Sequence, residues 1–363
     1  MSFYIIIFVL TFIGLFVSES SQFKSAKRKR IVFYILFIIL TFFACFRDKS
    51  VGTDTQYYIR LYQSIANIEW ADILEFSLQS GYEIGYVIYN RILASFVADS
   101  NIITITNSLI VMVLAGRLIR KECINPVLGV FCFFTIGLYQ SSFNIVSSMI
   151  AALFVLNGID YIRNRNIIKF IICVFLGCLF HSATILLIIP YIVYRFRITG
   201  KILLFSFAIS ALASLAFPIM IDVFSRMIPS KYIIYLSRGS DNGMILLFHS
   251  FIIIAVLIAY IATYHKVFHL NDDDIRIHTW MVVLEIAFLL LSLRNNIFTR
   301  AAYFFMPCLP IFIDKAVSKL ESRNNRLLVY SVLVFAIGVQ YIIRIHINNI
   351  GGSIPYVFSF EFF

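Results

Sequence analysis

Residues 31–54 read IVFYILFIILTFFACFRDKSVGTD, and the character of this segment changes abruptly at Arg47. The part up to Phe46 is almost entirely apolar and has the composition of a helix that crosses a membrane. The part after it is charged and opens a Tyr-rich segment that closes with Tyr-Glu-Ile-Gly-Tyr at 82–86. A polar segment of this kind in an apolar chain either connects loops to one another or binds a polar substrate at the bilayer surface. We favour the second interpretation.

The composition of the whole chain indicates an integral membrane protein. Of its 363 residues 61% are hydrophobic, and the mean hydropathy is +0.90, whereas roughly half of the residues of a soluble domain are apolar. Because the apolar runs follow one another nearly end to end, the sequence predicts an all-α, polytopic membrane protein. No stretch is long and polar enough for a separate soluble domain, so residues 1–363 are expected to form a single membrane domain.

The net charge of +11 comes mainly from basic residues in the short connections between the apolar runs. This placement argues against a nucleic-acid partner, because Lys and Arg in short loops set membrane orientation by remaining in the cytoplasm. The cluster from Lys24 to Arg30 therefore places the first connection inside the cell and the N-terminus outside. Membrane lipid is the expected surrounding of the protein.

About twelve apolar runs are expected to span the membrane. They cover residues 3–17, 31–46, 101–119, 124–140, 143–162, 166–180, 182–195, 201–221, 244–264, 278–294, 297–316 and 326–347. The run 84–98 is different: if it also crossed, most later basic clusters would lie outside the cell. We therefore predict a re-entrant or interfacial helix there. This topology leaves two larger loops on the outer face, residues 47–100 and residues 222–243.

Short motifs in a fixed order give the chain a resemblance to a known family. They are the segment RDKSVGTD at 47–54 with two tyrosines after it, YEIGY at 82–86, Phe143-Asn144, FHSA at 180–183 and RAAYF at 300–304. In these motifs, from about residue 1 to 350, the chain resembles the EpsG-like branch of the Wzy-type O-antigen and exopolysaccharide polymerases. It departs from that pattern at Ser147-Ser148, where such proteins often carry Arg-Gln shortly after the Asn.

The resemblance implies a glycosyltransferase with a GT-C-like fold that needs neither metal ions nor cofactors. Such a polymerase transfers a growing glycan from undecaprenyl pyrophosphate to the non-reducing end of a lipid-linked repeat unit. The reaction takes place on the outer, periplasmic face of the bacterial cytoplasmic membrane. The family also implies a chain-length regulator as a partner.

Departure of a pyrophosphate needs positive charge, and Arg suits this task because its planar fork binds phosphate oxygens bidentately. The outer-face arginines expected to bind substrate are Arg47, Arg294, Arg300 and Arg344. The alternative for each is snorkelling to the interface or pairing with a nearby carboxylate. We favour Arg47, Arg294 and Arg300, since they lie at span ends beside other motif residues.

The acceptor hydroxyl must lose a proton, which requires a carboxylate or an imidazole in the same pocket. The candidate catalytic residues are Glu83, His181 and Asp54. Each has a structural alternative: Glu83 could pair with an Arg, Asp54 could begin a turn or a helix, and His181 could cap the preceding helix.

Tyrosines suit a sugar substrate, because ring faces stack on carbohydrate C–H surfaces while the hydroxyl forms hydrogen bonds. The tyrosines expected to contact substrate are Tyr57, Tyr58, Tyr82 and Tyr86, and the resemblance adds Asn144 and Tyr303. The alternative for these aromatic residues is the interfacial belt found on most membrane proteins.

The cysteines suggest neither a zinc site nor a disulfide framework. All six except Cys123 lie inside apolar runs, and none forms a C-x-x-C pair. We interpret them as buried small hydrophobic residues, so neither a metal nor a cofactor is expected.

Two other functions stay open. An O-antigen ligase-like transferase would share an outer active site, but its large loop would lie between late helices, whereas the larger loop here is early, at 47–100. A flippase or transporter of lipid-linked glycans would show internal repeats, paired broken helices and polar sites at the midplane. Glu285 is the only clear charge at that depth in the sequence, and we find no repeat.

Overall fold

The computed structural model describes residues 2–19, 25–224, 272–318 and 323–359. Every regular element in these ranges is a helix, as the sequence predicts. Contacts group the chain into two compact units: unit 1 comprises Met1–Ile185 with Ile337–Phe363, and unit 2 comprises Leu186–Ala336. The single membrane domain expected for residues 1–363 stays a prediction.

Most of the helices belong to unit 1. They are α1 (Ser2–Glu19), α2 (Ala26–Cys45), α3 (Thr55–Ala66), α4 (Ile73–Ser80), α5 (Ile84–Ala94), α6 (Ile102–Glu122), α7 (Pro126–Thr135), α8 (Leu138–Ser141), α9 (Val146–Leu156), α10 (Ile159–Arg163) and α11 (Ile167–Cys178). Unit 2 contains α12 (Ile188–Val193), α13 (Gly200–Phe224), α14 (Asp273–Ser292), α15 (Ile297–Ala302) and α16 (Leu309–Ser318). The helix α17 (Arg323–Tyr341) runs from unit 2 into unit 1 and continues as a π-helix, Ile342–Ile347.

Four helical segments of the described chain are long and apolar enough to cross a membrane. They are Ile102–Glu122, Gly200–Phe217, Asp273–Ser292 and Leu328–Ile347. Glu285 lies fully buried within the third of them. The expected count of about twelve spans and the GT-C-like arrangement stay predictions. The expected outer loop 222–243 beyond Phe224 and the expected span 244–264 lie outside the described residues.

Some runs expected as continuous spans are interrupted in the structure. The run 124–140 consists of α7 and α8, which meet at Gly137, where the backbone φ is +91°. The run 143–162 consists of α9 and α10, which are divided at Gly158. Hydropathy does not reveal such breaks, because the flanking residues are apolar on both sides. At the first break glycine supplies a left-handed conformation that other residues rarely adopt.

Arg344 fills the break at Gly137. Its Nη1 donates to the carbonyl oxygen of Ile136 at 2.7 Å, and its Nη2 donates to Oγ of Ser141 at 2.8 Å. A Cβ atom added at Gly137 would lie only 2.8 Å from Cζ of this guanidinium. One buried side chain thus satisfies a carbonyl that is left where α7 stops, inside a fold that offers no water for the task.

Neighbouring helices of unit 1, such as α1 with α2 and α2 with α6, run antiparallel. The connections between helices therefore lie at two ends of the unit. One end carries ion pairs of Lys29 with Glu19, Lys121 with Asp160 and Arg163 with Glu122. The opposite end carries residues 46–101, the turns after α8 and α11, and the segment 348–359. These are the two sets of connections that the charge placement predicts. Which set faces the outside of the cell stays a prediction.

The run 84–98 forms the 11-residue helix α5. A helix of this length is about 16 Å long, well short of the ~30 Å hydrocarbon core of a bilayer. Ile88, Ile92 and Phe96 are exposed at a spacing of four residues, whereas Tyr86 and Val87 are buried. The helix is therefore amphipathic and too short to cross a bilayer, and its re-entrant or interfacial placement stays a prediction.

We expect Gly137→Ala to destabilise the protein by about 1–3 kcal/mol, because alanine is strained at φ +91° and its Cβ meets the buried Arg344. Gly338→Ala in α17 is the matched control, since the added Cβ would make an ordinary contact with Phe8 at 3.6 Å. Thermal unfolding in detergent should show a lower midpoint for the first variant and an unchanged or higher midpoint for the second. Equal midpoints would contradict the role assigned to Gly137.

Candidate functional site

The motif 82–86 packs directly against the turn 179–182. The backbone nitrogen of Gly85 donates to the carbonyl oxygen of Leu179 at 2.8 Å. A Cβ atom at Gly85 would lie 2.6 Å from that same oxygen, so only glycine permits this approach of the two backbones. Two motifs far apart in the chain are therefore neighbours in the fold.

The carboxylate of Glu83 holds this junction together. Its Oε1 accepts hydrogen bonds from the backbone nitrogen of Ser182 at 3.0 Å and from the Ser182 hydroxyl at 2.8 Å. Its Oε2 lies 3.8 Å from Nδ1 of His181. The backbone nitrogen of His181 donates to the carbonyl oxygen of Gly177 at 3.0 Å and fixes the turn.

The imidazole of His181 is the more accessible partner, with 26% of its side chain exposed against 13% for Glu83. A carboxylate on the Nδ1 side can orient the ring electrostatically, and part of the imidazole stays accessible. This is the arrangement that a positioned general base requires. Two of the three predicted catalytic residues are thus side by side.

The predicted tyrosines form a continuous group next to this pair. The ring centroids of Tyr57 and Tyr82 lie 5.9 Å apart, and those of Tyr82 and Tyr86 lie 6.2 Å apart. Tyr86 also contacts Tyr58 at 6.1 Å and Phe180 at 6.3 Å, measured between ring centroids. The group therefore runs from α3 to the residue before His181.

Only part of this aromatic group is accessible. Tyr57 is 53% exposed and Tyr82 is partly exposed, whereas Tyr58 and Tyr86 are buried. Burial raises the pKa of Tyr82 above its usual value, and its hydrogen bond with Tyr57 raises it further. Tyr82 therefore stays neutral, as a sugar-binding hydroxyl must. Tyr57 and Tyr82 present the ring faces that a substrate can reach.

Asn144 joins three segments of the chain. Its Oδ1 accepts from the backbone nitrogen of Asp54 at 3.2 Å, and its Nδ2 donates to the carbonyl oxygen of Gly351 at 2.9 Å. Its own carbonyl oxygen accepts from the hydroxyl of Tyr58 at 2.9 Å. The Asn side chain is thus engaged by the protein backbone, and its predicted contact with substrate stays a prediction.

Asp54 occupies the N-terminal cap position of α3, but its side chain makes no capping hydrogen bond. Its Oδ1 accepts from Oγ1 of Thr53 at 3.2 Å, and the residue is only partly buried. The carboxylate keeps some exposure at the edge of the tyrosine group, close to Tyr58 in the chain.

The sequence analysis missed the turn at Gly351-Gly352. Gly52 donates its backbone hydrogen to the carbonyl oxygen of Gly352 at 2.9 Å, and Thr53 donates to that of Gly351 at 3.2 Å. Both turn glycines have positive φ, +88° and +61°. A Gly-Gly pair shortly after an apolar run and two asparagines is a turn signal, and it could have marked this segment as part of the site.

Arg47 is buried, with 2% of its surface exposed. Its Nη1 donates to the carbonyl oxygen of Ala44 and to Oγ of Ser108, and its Cζ lies 4.3 Å from the ring centroid of Phe143. Burial lowers the pKa of Arg47 to about 10, which leaves the guanidinium charged at neutral pH. The structure thus gives this Arg protein partners, and a contact with pyrophosphate stays a prediction.

The remaining predicted residues are divided between the units. Arg344 belongs to unit 1 and is buried at the α7–α8 break. Arg294, Arg300 and Tyr303 belong to unit 2, just before and along α15; both arginines are exposed and Tyr303 is partly exposed. Their roles in substrate binding stay predictions.

Across the described ranges, no group of three His, Cys, Asp or Glu side chains is arranged to hold a metal ion. The expected independence from metal ions and cofactors stays a prediction.

The sequence profile of the EpsG family matches residues 30–358, nearly the whole chain. The chain belongs to the EpsG family. Members of this family are Wzy-type polysaccharide polymerases, so the resemblance predicted from the motifs is confirmed. A search of curated proteins and a search of solved structures each found no match.

The EpsG-family membership and the apolar helices together establish a multi-pass membrane protein. The family supports a general role of the polysaccharide polymerase type, with a lipid-linked saccharide as substrate in the membrane. The matched range includes every predicted site residue from Arg47 to Arg344, and it also includes the turn at Gly351-Gly352.

Replacing Gly85 by Ala is expected to separate the motif 82–86 from the turn 179–182, because the added Cβ would overlap the Leu179 carbonyl oxygen. Amide hydrogen exchange in both segments should become about tenfold faster, which corresponds to losing roughly one hydrogen bond. Gly338→Ala should leave exchange in both segments unchanged. Faster exchange in only one of the two segments would argue against their direct docking.

Proposed function

We propose that this EpsG-family protein polymerises lipid-linked oligosaccharide repeat units on the outer face of the bacterial cytoplasmic membrane. It transfers the growing glycan from undecaprenyl pyrophosphate to the non-reducing end of a lipid-linked repeat unit, without a metal ion or cofactor. The observation that carries the proposal is the adjacent pair of Glu83 and His181 beside the exposed Tyr57 and the partly exposed Tyr82.

In this mechanism His181 acts as the general base. Its Nε2 takes the proton from the acceptor sugar hydroxyl as that oxygen forms a bond to the anomeric carbon of the donor glycan. The bond from the anomeric carbon to the pyrophosphate oxygen breaks, and the lipid pyrophosphate leaves with the electron pair. Glu83 positions the ring and stabilises the imidazolium that results, as the carboxylate of a catalytic triad does.

Acceptor binding is assigned to the accessible part of the aromatic group. Tyr57 and Tyr82 offer ring faces to the C–H surface of a sugar and hydroxyls to its oxygens. Asp54 is partly exposed; its backbone nitrogen donates to Oδ1 of Asn144, whose carbonyl oxygen accepts from the hydroxyl of Tyr58 in this group. A second carboxylate there suits hydrogen bonds to the hydroxyls of the repeat unit.

Arginine is the residue type proposed to neutralise the pyrophosphate, because a guanidinium can bind phosphate oxygens bidentately. Arg47 and Arg344 donate to protein carbonyl and hydroxyl groups, which favours a supporting role for them. Arg294 and Arg300 of unit 2 are exposed, and they are the phosphate-binding candidates within that unit. A chain-length regulator is the proposed protein partner, on the basis of the family.

The test is complementation of a deletion strain with Glu83→Gln. Glutamine keeps an oxygen that accepts from Ser182, so the junction should hold, but it removes the negative charge beside His181. We expect polymer length and amount to fall about a hundredfold or more, within the range for a lost acid–base function. Glu75→Gln is the matched control, because this carboxylate is exposed on α4 and accepts a hydrogen bond from Gln79, one turn further along the same helix.

Gel analysis of surface polysaccharide provides the readout, with protein levels in the membrane checked for each variant. A full ladder from Glu83→Gln would refute the assignment of the Glu83–His181 pair. In the deletion strain itself, single repeat units on the lipid core support a polymerase. Absence of surface repeats with lipid-linked units retained inside would instead identify a flippase, and long unattached chains would identify a ligase.

A further inference from the structure

Unit 1 contains an apolar groove of about 370 Å³ between α6, α9 and α11. This volume lies in the range of small-molecule binding pockets, roughly 300–1,000 Å³. Every residue that lines it is apolar or glycine. The helix α6 is one of the segments long and apolar enough to cross a membrane, so the groove runs along a wall at membrane depth.

Two helical pairs with a spacing of four residues form most of the groove. They are Ile110 with Leu114 on α6 and Ile150 with Phe154 on α9. Residues four apart lie on the same face of a helix, so each of these helices contributes one apolar stripe. Leu176 of α11 and Phe180, in the turn after that helix, complete the apolar wall. The side chains of Phe154 and Leu176 are 39% and 41% exposed, which leaves the groove open along one side.

Small residues complete the lining of the groove. Ala151 of α9 and Gly177 of α11 lie between the larger pairs. Gly177 is packed so closely that a Cβ atom would lie 2.8 Å from side-chain atoms of Thr184 and Val155. The groove is therefore a fixed feature of the packing of α9 and α11.

The groove ends at the candidate active site. Phe180 lines the groove, and its ring centroid lies 6.3 Å from that of Tyr86. The next residue in the chain is His181, whose backbone nitrogen is held by the carbonyl oxygen of the groove residue Gly177. A hydrocarbon chain in the groove would thus have its polar head beside Glu83 and His181.

We propose that this groove binds the polyisoprenyl tail of a lipid-linked substrate and so delivers the pyrophosphate-linked sugar to His181. The inference rests on the proposed function, because it takes the reacting lipid of that function as the occupant. A polyisoprenyl tail is favoured over the acyl chain of a phospholipid because the groove leads directly to the reacting groups. A bulk lipid has no part in the reaction at that position.

The test compares Leu114→Trp, which fills the groove, with Val113→Trp, which alters an adjacent side chain that is 64% exposed and outside the groove. Polymerisation is measured in nanodiscs with two substrates that carry the same repeat unit, one on a full-length polyisoprenyl pyrophosphate and one on a two-isoprene tail. We expect Leu114→Trp to raise KM for the long-tailed substrate about tenfold, the effect of losing roughly two buried methylene contacts. KM for the short-tailed substrate should not change, and Val113→Trp should affect neither substrate.

A binding measurement separates this proposal from the proposed function. Native mass spectrometry of the purified protein should show retention of polyisoprenyl phosphate in preference to phosphatidylglycerol, and Leu114→Trp should abolish the preference. Equal retention of both lipids, or an equal change in KM for both tails, would overturn the groove assignment. If the unaltered protein retains polyisoprenyl phosphate through Leu114 but forms no polymer, the proposed function fails and the groove assignment stands. If polymer forms and Leu114→Trp leaves KM for both substrates unchanged, the proposed function stands and the groove assignment fails.

Discussion

Helix ends within a membrane leave carbonyl and amide groups that hydrocarbon cannot satisfy, and unit 1 meets this constraint with long polar side chains. Arg47 donates to the carbonyl oxygen of Ala44 in the last turn of α2, and Arg344 donates to that of Ile136 after α7. The Asn144 side chain accepts from the backbone nitrogen of Asp54 and donates to the carbonyl oxygen of Gly351, so it satisfies backbone groups of two other segments. The breaks and turns of the fold depend on these contacts.

The same constraint divides the polar residues into those that support the fold and those left for chemistry. A buried guanidinium that donates to protein oxygens has fewer donors left for a phosphate. Glu83 and His181 differ, because part of each side chain remains exposed although Glu83 also fixes a backbone turn. Tyr57 and Tyr82 likewise keep accessible surface. The accessible subset is small and contiguous, as expected for an active site within a tightly packed membrane fold.

The grouping of connections at two ends could be predicted from the sequence, because alternation of charge is a property of the whole chain. The motifs around Glu83 and His181 pointed to two residues that the structure places side by side. The re-entrant or interfacial placement of the helix near 84–98 stays a prediction. The burial of Arg47 could not be predicted in this way. It depends on Ser108, 61 residues further along, and on the ring of Phe143, and no local pattern contains either contact.

The breaks in the helices were missed for a related reason. A window of mean hydropathy averages over Gly137 and Gly158, although each glycine lies between two helices, at the N-terminal cap of the second. Because α7 stops before Gly137, the carbonyl oxygen of Ile136 has no helical partner and needs another donor. Arg344, more than 200 residues further along the chain, donates to it. The break and the buried charge are therefore one feature, visible only when both parts of the chain are in contact.

This coupling affects how mutations at the buried arginines are interpreted. Removing the Arg344 guanidinium takes its donor from the carbonyl oxygen of Ile136, at a cost of about 1–3 kcal/mol for a buried unsatisfied group. The carbonyl oxygen of Ala44 accepts from the Ser108 hydroxyl as well as from Arg47, so loss of Arg47 removes one of two donors there. Lysine does not replace Arg344, because one ammonium cannot reproduce a fork that reaches Ile136 and Ser141 together. Loss of activity in such variants is thus explained by the fold alone and does not identify a phosphate contact. Evidence for a phosphate contact at these arginines must therefore come from a measurement of substrate binding on protein whose folding has been checked.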